Sequence, residues 1–270
     1  MRVGILYSED PTFFSPVVRK VLQARPSEVV AVFPTGSRGA GPRVRGLWPR
    51  LVRLATLWLI WEPAGFVAEL AARSVATARG LVGRISPAAD GWTAQALARQ
   101  LGVRVVPCPD PNSEAFIEEL RTLAPDVLLN QTDRMLKKPL LQVPRLGVLN
   151  RHGSLLPRFR GRMASFWSHA AEPPAHGMTF HLVDEGLDTG PIVLQHPMAV
   201  DGRASYPEVL ARHREAAPAL FWQAVEMLGT PGFASRPNAH EGTPTYRFPT
   251  LAEARAYRRV LERRRSQPCP

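Results

Sequence analysis

The chain has 270 residues, 45% of them hydrophobic, enough to bury a full core and to exclude a chain that is disordered in the main. Its 34 basic residues, all but three of them arginine, outnumber 23 acidic ones for a formal charge of +11, which invites a polyanion, an anionic substrate or an anionic surface without naming any of them. Two cysteines, Cys108 and Cys269, exclude a disulfide framework and a cysteine-based metal site. The opening MRVGILYSED carries acids by position 10 and no long apolar run, so no secretory signal is expected. The longest strongly apolar stretch, 54–61, falls short of the roughly 20 residues of a spanning helix, and the chain is expected to be soluble and cytoplasmic.

Residues 2–7 form a short, nearly continuous apolar run, as a buried parallel strand requires. A helix is predicted over 16–23, with Pro16 in its first turn, and a second strand over 29–33. An amphipathic helix over 92–101, a strand over 103–106, a helix over 113–123 and a strand over 127–129 continue the alternation. This order predicts an α/β fold, a Rossmann-like, mainly parallel sheet with helices on both faces.

Residues 36–91 break that rhythm, since they are far too long for an ordinary loop. Five arginines and no acid lie between Arg38 and Arg53, followed by Leu-Ala-Thr-Leu-Trp-Leu-Ile-Trp over 54–61. Two readings stand: a helical hairpin packed on the domain, or a basic amphipathic helix over 44–61 that touches an anionic membrane or a lipid-linked substrate. Beyond residue 200 a long amphipathic helix over 206–228, loops with a short strand near 245–248, and a basic helix over 251–265 are predicted. The domain organisation expected is a catalytic unit over 1–200 and a mostly helical extension over 201–270.

No G-x-S-x-G elbow, H-E-x-x-H or P-loop occurs, and Val44 stands where Gly39 and Gly41 would need a third glycine for a dinucleotide fingerprint. His169, His176 and His181 lack carboxylates or cysteines at matching spacing, so no metal site is expected.

The informative block is 147–195. A strand pattern, Val148-Leu149-Asn150-Arg151-His152, places Asn150 and His152 two apart and so on one face. Gly153-Ser154-Leu155-Leu156-Pro157 and Arg158-Phe159-Arg160-Gly161-Arg162 follow. A strand over 178–183 then leads through Asp184-Glu185-Gly186-Leu187-Asp188-Thr189-Gly190-Pro191 into another over 192–195. Each feature alone fits a turn or a hairpin loop. In order, N-x-H-x-S-L-L-P, R-G and D-E-G-L-D-T-G-P-I, they resemble the formyltransferase family that uses 10-formyltetrahydrofolate, which includes glycinamide ribonucleotide, methionyl-tRNA and sugar N-formyltransferases. The resemblance is close over 147–195, extends across 1–200, and weakens in the insertion and beyond 200.

The resemblance implies that Asn150, His152 and Asp188 are the catalytic trio. An amine attacking a formyl carbon drives negative charge onto the formyl oxygen and must lose a proton. Asn150 and His152 are suited to donate to that oxygen, and Asp188 to take the amine proton directly or through a water. Asp184, the rival carboxylate, fits a turn better. The resemblance further implies folate contacts from the segment after the fourth strand, with Asn130, Gln131, Thr132, Met135 and Leu136, and from the loop with Asp184, Gly186 and Leu187. Ser154, Arg160, Gly161 and Arg162 are expected beside the acceptor, Ser154 equally as a turn former.

The acceptor expected is a small-molecule amine, first a nucleotide-linked amino sugar, whose diphosphate suits arginines. Amino acids, peptides and lipid-linked amines stay open, as do another one-carbon or carbamoyl donor and a membrane- or nucleic-acid-binding protein that keeps the fold. About 70 residues follow position 200 and read as helix and loop, which argues against tRNA as the acceptor. Oligomeric state is left open, a homodimer included.

Overall fold

The computed structural model describes residues 1–10, 12–36, 46–85 and 93–267. In chain order the elements are β1 (Val3–Ser8), α1 (Phe14–Ala24), β2 (Val29–Thr35), α2 (Leu47–Ile85), α3 (Ala94–Gln100) and β3 (Arg104–Val105). There follow α4 (Glu114–Leu123), β4 (Val127–Gln131), α5 (Lys138–Leu141), β5 (Val148–His152), β6 (Arg160–Gly161) and α6 (Ala164–Ala170). The chain closes with β7 (Gly177–Leu182), β8 (Ile192–Pro197), α7 (Tyr206–Gly229), β9 (Thr245–Tyr246) and α8 (Leu251–Ser266). Helix starts carry their own signals: Thr93 and Ser113 accept from backbone N–H groups of α3 and α4, and Ser205 and Thr250 form capping boxes with Glu208 and Glu253.

Seven strands form one sheet in the order β3-β2-β1-β4-β5-β7-β8. Pairing is parallel from β3 to β5 and antiparallel from β5 through β7 to β8. The predicted α/β architecture is therefore the observed one. Period-two alternation sends the strand residues into two cores. One, with Ile5, Leu129, Leu149 and Phe180, packs on α1, α3 and α7; the other, with Leu6, Phe33, Leu128 and Val148, packs on α4. Helix α7 puts Leu220, Phe221, Trp222 and Val225 into the first core, so α7 packs on the sheet. A separate two-stranded ladder joins β6 to β9 in parallel.

The insertion is helical, in two segments on either side of a break. Helix α2 is broken at Glu62 (φ 60°, ψ 155°), immediately before Pro63, which lacks the N–H a continuing helix needs. Ile60 is buried in a third cluster with Phe166, Tyr206 and Tyr257, which ties α2 to α6, α7 and α8. The apolar stretch is also longer than 54–61: the helical span Leu47–Ala78 is long and apolar enough to cross a membrane by length and composition. The basic run at 38–45, the glycine pattern at 39–44, Trp92 and Cys269 lie outside the described residues.

Candidate active site

Strand β5 marks the switch from parallel to antiparallel pairing, and its C-terminal half carries the polar residues. Asn150 is flanked in register by Asn130 of β4 on one side and His181 of β7 on the other. His152 stands across from Thr179 on the same face. The Asn150 amide nitrogen lies 3.2 Å from Nε2 of His181, whose Nδ1 lies 2.9 Å from the Leu182 carbonyl. His152 is buried, with Nε2 3.0 Å from the Phe159 carbonyl and Nδ1 3.4 Å from Oδ2 of Asp188.

Asp188 reaches this row from the loop between β7 and β8. Asp184 shapes that loop: its Oδ1 accepts from Gly186 N at 3.0 Å and from Thr189 Oγ1 at 2.6 Å. Asp184 and Gly186 are thus taken up in the turn, and Asp188 is the carboxylate that lies beside His152. Asp188 itself takes a left-handed backbone (φ 53°), a strained geometry for a non-glycine residue, held by Asn238 Nδ2 donating to its carbonyl at 3.0 Å. Its Oδ2 accepts from Gly161 N at 2.8 Å, and its Oδ1 lies 3.6 Å from Nε2 of His181. Burial pushes the carboxyl upward, but the charge and hydrogen bond of His152, with the groups of His181 and Gly161, outweigh it and hold Asp188 well below the usual carboxylate range.

Both nitrogens of His152 face oxygen acceptors, Oδ2 of Asp188 and the Phe159 carbonyl, while the Asn150 amide carries a second N–H beyond the one directed at His181. A carboxylate held so far down is a fixed negative charge beside His152 and keeps a proton only weakly.

The expected binding residues divide. Met135 and Leu187 leave large apolar side chains 56% and 43% exposed, as a ligand wall would. Leu136 does not: it is buried in the core under α4, because the apolar side chain follows the sheet rather than the loop. Asn130 turns its Oδ1 onto Thr132 (2.9 Å to Oγ1, 3.2 Å to N), building an Asx turn, and Gln131 is buried between the Asn130 carbonyl and Arg151. Ser154 is fully buried and donates to the carbonyls of Arg158 and Phe159, so it fixes the turn and offers nothing to an acceptor. Arg160 donates to Thr243 O and Thr245 Oγ1, both at 3.1 Å, which assigns it to the β6–β9 ladder. Gly161 contributes its backbone N–H to Asp188 and needs its positive φ of 95°; a Cβ there would strike the Tyr246 carbonyl. Arg162 remains exposed, with its N–H on Tyr246.

Two residues stand out that the motif reading did not single out. His181 was legible as the polar residue alternating with Met178 and Phe180 in an otherwise apolar strand, two positions from Thr179. Arg151 lies on the opposite face of β5, where the alternation calls for an apolar side chain. It is buried, donates from Nε to Gln131 at 2.8 Å and stacks 5.2 Å from the Phe13 ring centre, while its Nη1 has no partner. Burial and nearby Arg214 push its guanidinium down to about 10. Among the described residues, no three His, Cys, Asp or Glu side chains are grouped to hold a metal ion.

Residues 107–225 match the family model described as formyl transferase. The methionyl-tRNA formyltransferase of Myxococcus xanthus (strain DK1622) is 40% identical over 120 residues, covering 43% of this chain and 38% of the relative. The matched stretch therefore spans about two fifths of that relative's length. Among solved structures, phosphoribosylglycinamide formyltransferase from Anaplasma phagocytophilum superposes with a TM-score of 0.57 at 17% identity, over 92% of this chain and 99% of that one. A sugar 3N-formyl transferase, crystallised in the presence of dTdp and 5-N-formyl-THF, gives a TM-score of 0.54 at 14% identity, over 91% and 69%. At such identities the structures speak for the fold alone.

Proposed function

We propose that this chain, a member of the formyl transferase family through residues 107–225, transfers a formyl group from 10-formyltetrahydrofolate to the primary amine of a small, negatively charged acceptor. The single observation that carries the reading is the convergence on Asn150 of in-register His181, with His152 and Asp188 locked beside it.

The folate donor supplies an activated N-formyl carbon. The residues present fit it in kind: exposed Met135 and Leu187 offer apolar surface to a ring system, and the amide of Asn150 is a donor for the formyl oxygen. As the amine nitrogen bonds to the formyl carbon, negative charge gathers on that oxygen, where a fixed N–H donor is worth most. The amine proton leaves toward the Asp188 carboxylate, directly or by a water. Because that carboxyl is held low, it passes the proton on rather than keeping it, and the nitrogen that loses the formyl group receives it.

Negative charge on the acceptor is supported by Arg162, which is exposed next to Gly161, the residue whose N–H holds Asp188. A nucleotide-linked amino sugar meets both demands, an amine and a diphosphate. The methionyl-tRNA formyltransferase relative makes the tRNA-borne amine the rival to test beside it.

The test is a panel of amines with 10-formyltetrahydrofolate, following tetrahydrofolate release by absorbance. Release is expected with one nucleotide-linked amino sugar and not with methionyl-tRNA. A chain that neither binds the folate nor releases it with any amine overturns the transferase reading.

A further inference from the structure

The first segment of α2, residues 47–61, is docked by one face and bare on the other. Thr56 and Ile60 are buried, while Leu47, Trp48, Leu51, Leu54 and Trp58 are exposed. At about 100° per residue, positions 47, 51, 54 and 58 fall within an arc of about 60°, with Trp48 about 60° outside it and Thr56 and Ile60 on the far side. A soluble helix puts its polar residues on the face away from the core; here that face is leucine and tryptophan. Within the span Leu47–Ala78 only 11% of the most apolar window is buried.

Charge decides what covers it. No Asp or Glu occurs from 47 to 61, exposed Arg50 lies beside the stripe, and the chain as a whole carries +11. In a symmetric pairing each patch meets its own copy, so two acid-free stripes of a +11 chain would face each other. An anionic bilayer brings phosphates to the arginine, acyl chains to the leucines and an interface to the two tryptophans.

The helix lies on such a surface rather than across it. Its first segment is 15 residues long before the break at Glu62. Glu62 is paired with Arg258 and Arg265 of α8 at 2.7 and 2.6 Å. Past the break, Glu69 accepts from Thr12 at 2.6 Å and Arg73 pairs with Asp10 at 3.2 Å, which ties that segment to the loop after β1. A spanning helix could keep none of these contacts.

We infer that the 47–58 stripe of α2 docks the protein on an anionic membrane surface. The docked helix touches the catalytic assembly: Arg53 stacks 4.7 Å over Phe248, next to β9, whose partner β6 supplies Gly161 to Asp188. The inference does not depend on which amine is the acceptor.

The test is flotation of the full chain with vesicles of phosphatidylcholine containing phosphatidylglycerol, against vesicles of phosphatidylcholine alone. Binding to the anionic vesicles, weakened by salt and reduced about tenfold or more by the double substitution Trp48→Ser and Leu51→Ser, is expected. Arg50→Glu, a variant that leaves the apolar stripe intact, is expected to weaken binding as well. No flotation, flotation indifferent to lipid charge, or concentration-dependent dimers that disappear in the double variant would overturn the inference, the last in favour of a second copy.

Discussion

Asn150 of β5 and His181 of β7 form one cross-strand pair, and the amide nitrogen of the first lies 3.2 Å from Nε2 of the second. The pair holds at the one place in the sheet where parallel and antiparallel ladders meet. Amide and imidazole therefore depend on the register of two strands rather than on a loop. His181→Ala removes the partner that orients the Asn150 amide. Turnover should fall about 10-fold to 100-fold, the loss of about 1.4–2.7 kcal/mol, with KM for the folate little changed. Steady-state kinetics check this, and an unchanged kcat would assign His181 to packing alone.

Strand alternation placed Asn150 and His152 on one face, two residues apart, whereas Asp188 was singled out by the resemblance of the ordered motifs to the formyltransferase family. His181 was weighed only as one of three loosely spaced histidines for a metal, because its cross-strand neighbour Asn150 is not legible from the sequence. Leu136 misled for another reason: it sits in a polar loop, yet the packing under α4 claims it. The break in α2 was hidden since Glu62-Pro63 also suits a helix start, and only the ion pairs of Glu62 with α8 show what fixes it. Ser154 takes the turn-forming alternative of its two expected roles, and Arg160 turns Nη2 to Thr243 O and Thr245 Oγ1 of the segment around β9, a long-range contact that sequence spacing does not reveal.

Arg151 distinguishes a binding role from a structural one. Arg151→Met places an apolar side chain where the core face calls for one. Stability should be unchanged or raised by about 1 kcal/mol or more, since an uncompensated buried charge is removed. KM for the acceptor and kcat should change little, because Arg151 is buried on the face of β5 away from Asn150 and His152. Thermal unfolding and acceptor titration are the paired measurements; a KM raised about tenfold or more would place an anionic group of the acceptor at Arg151.

Three buried histidines set the acid sensitivity of the fold. Burial, reinforced by His176 and Arg264, pushes His169 down to about 4; burial and Arg264 push His176 to about 4. Burial, then Arg151, pushes His213 to about 3. The unfolded chain binds these protons near pH 6.5, so it gains protons that the folded chain refuses. Their contribution is full above about pH 6.5 and is lost as pH falls toward about 4, by about 1.4 kcal/mol per pH unit for each group. Urea unfolding at pH 7 and pH 5 should show the drop, and His213→Gln should remove about a third of it. A midpoint that does not move between those pH values would contradict the burial of these rings.

The most direct measurement of the central claim is tetrahydrofolate release by the Asp188→Asn variant beside the unsubstituted chain, with folate binding followed in the same samples. The substitution keeps shape and hydrogen-bonding capacity while removing the charge that His152 and Gly161 N–H hold in place. Amine-dependent release should fall about 100-fold or more while the folate still binds with nearly its original affinity. Release that persists at the original rate would contradict the account, and loss of folate binding in place of turnover would make Asp188 the keystone of a turn rather than of the chemistry.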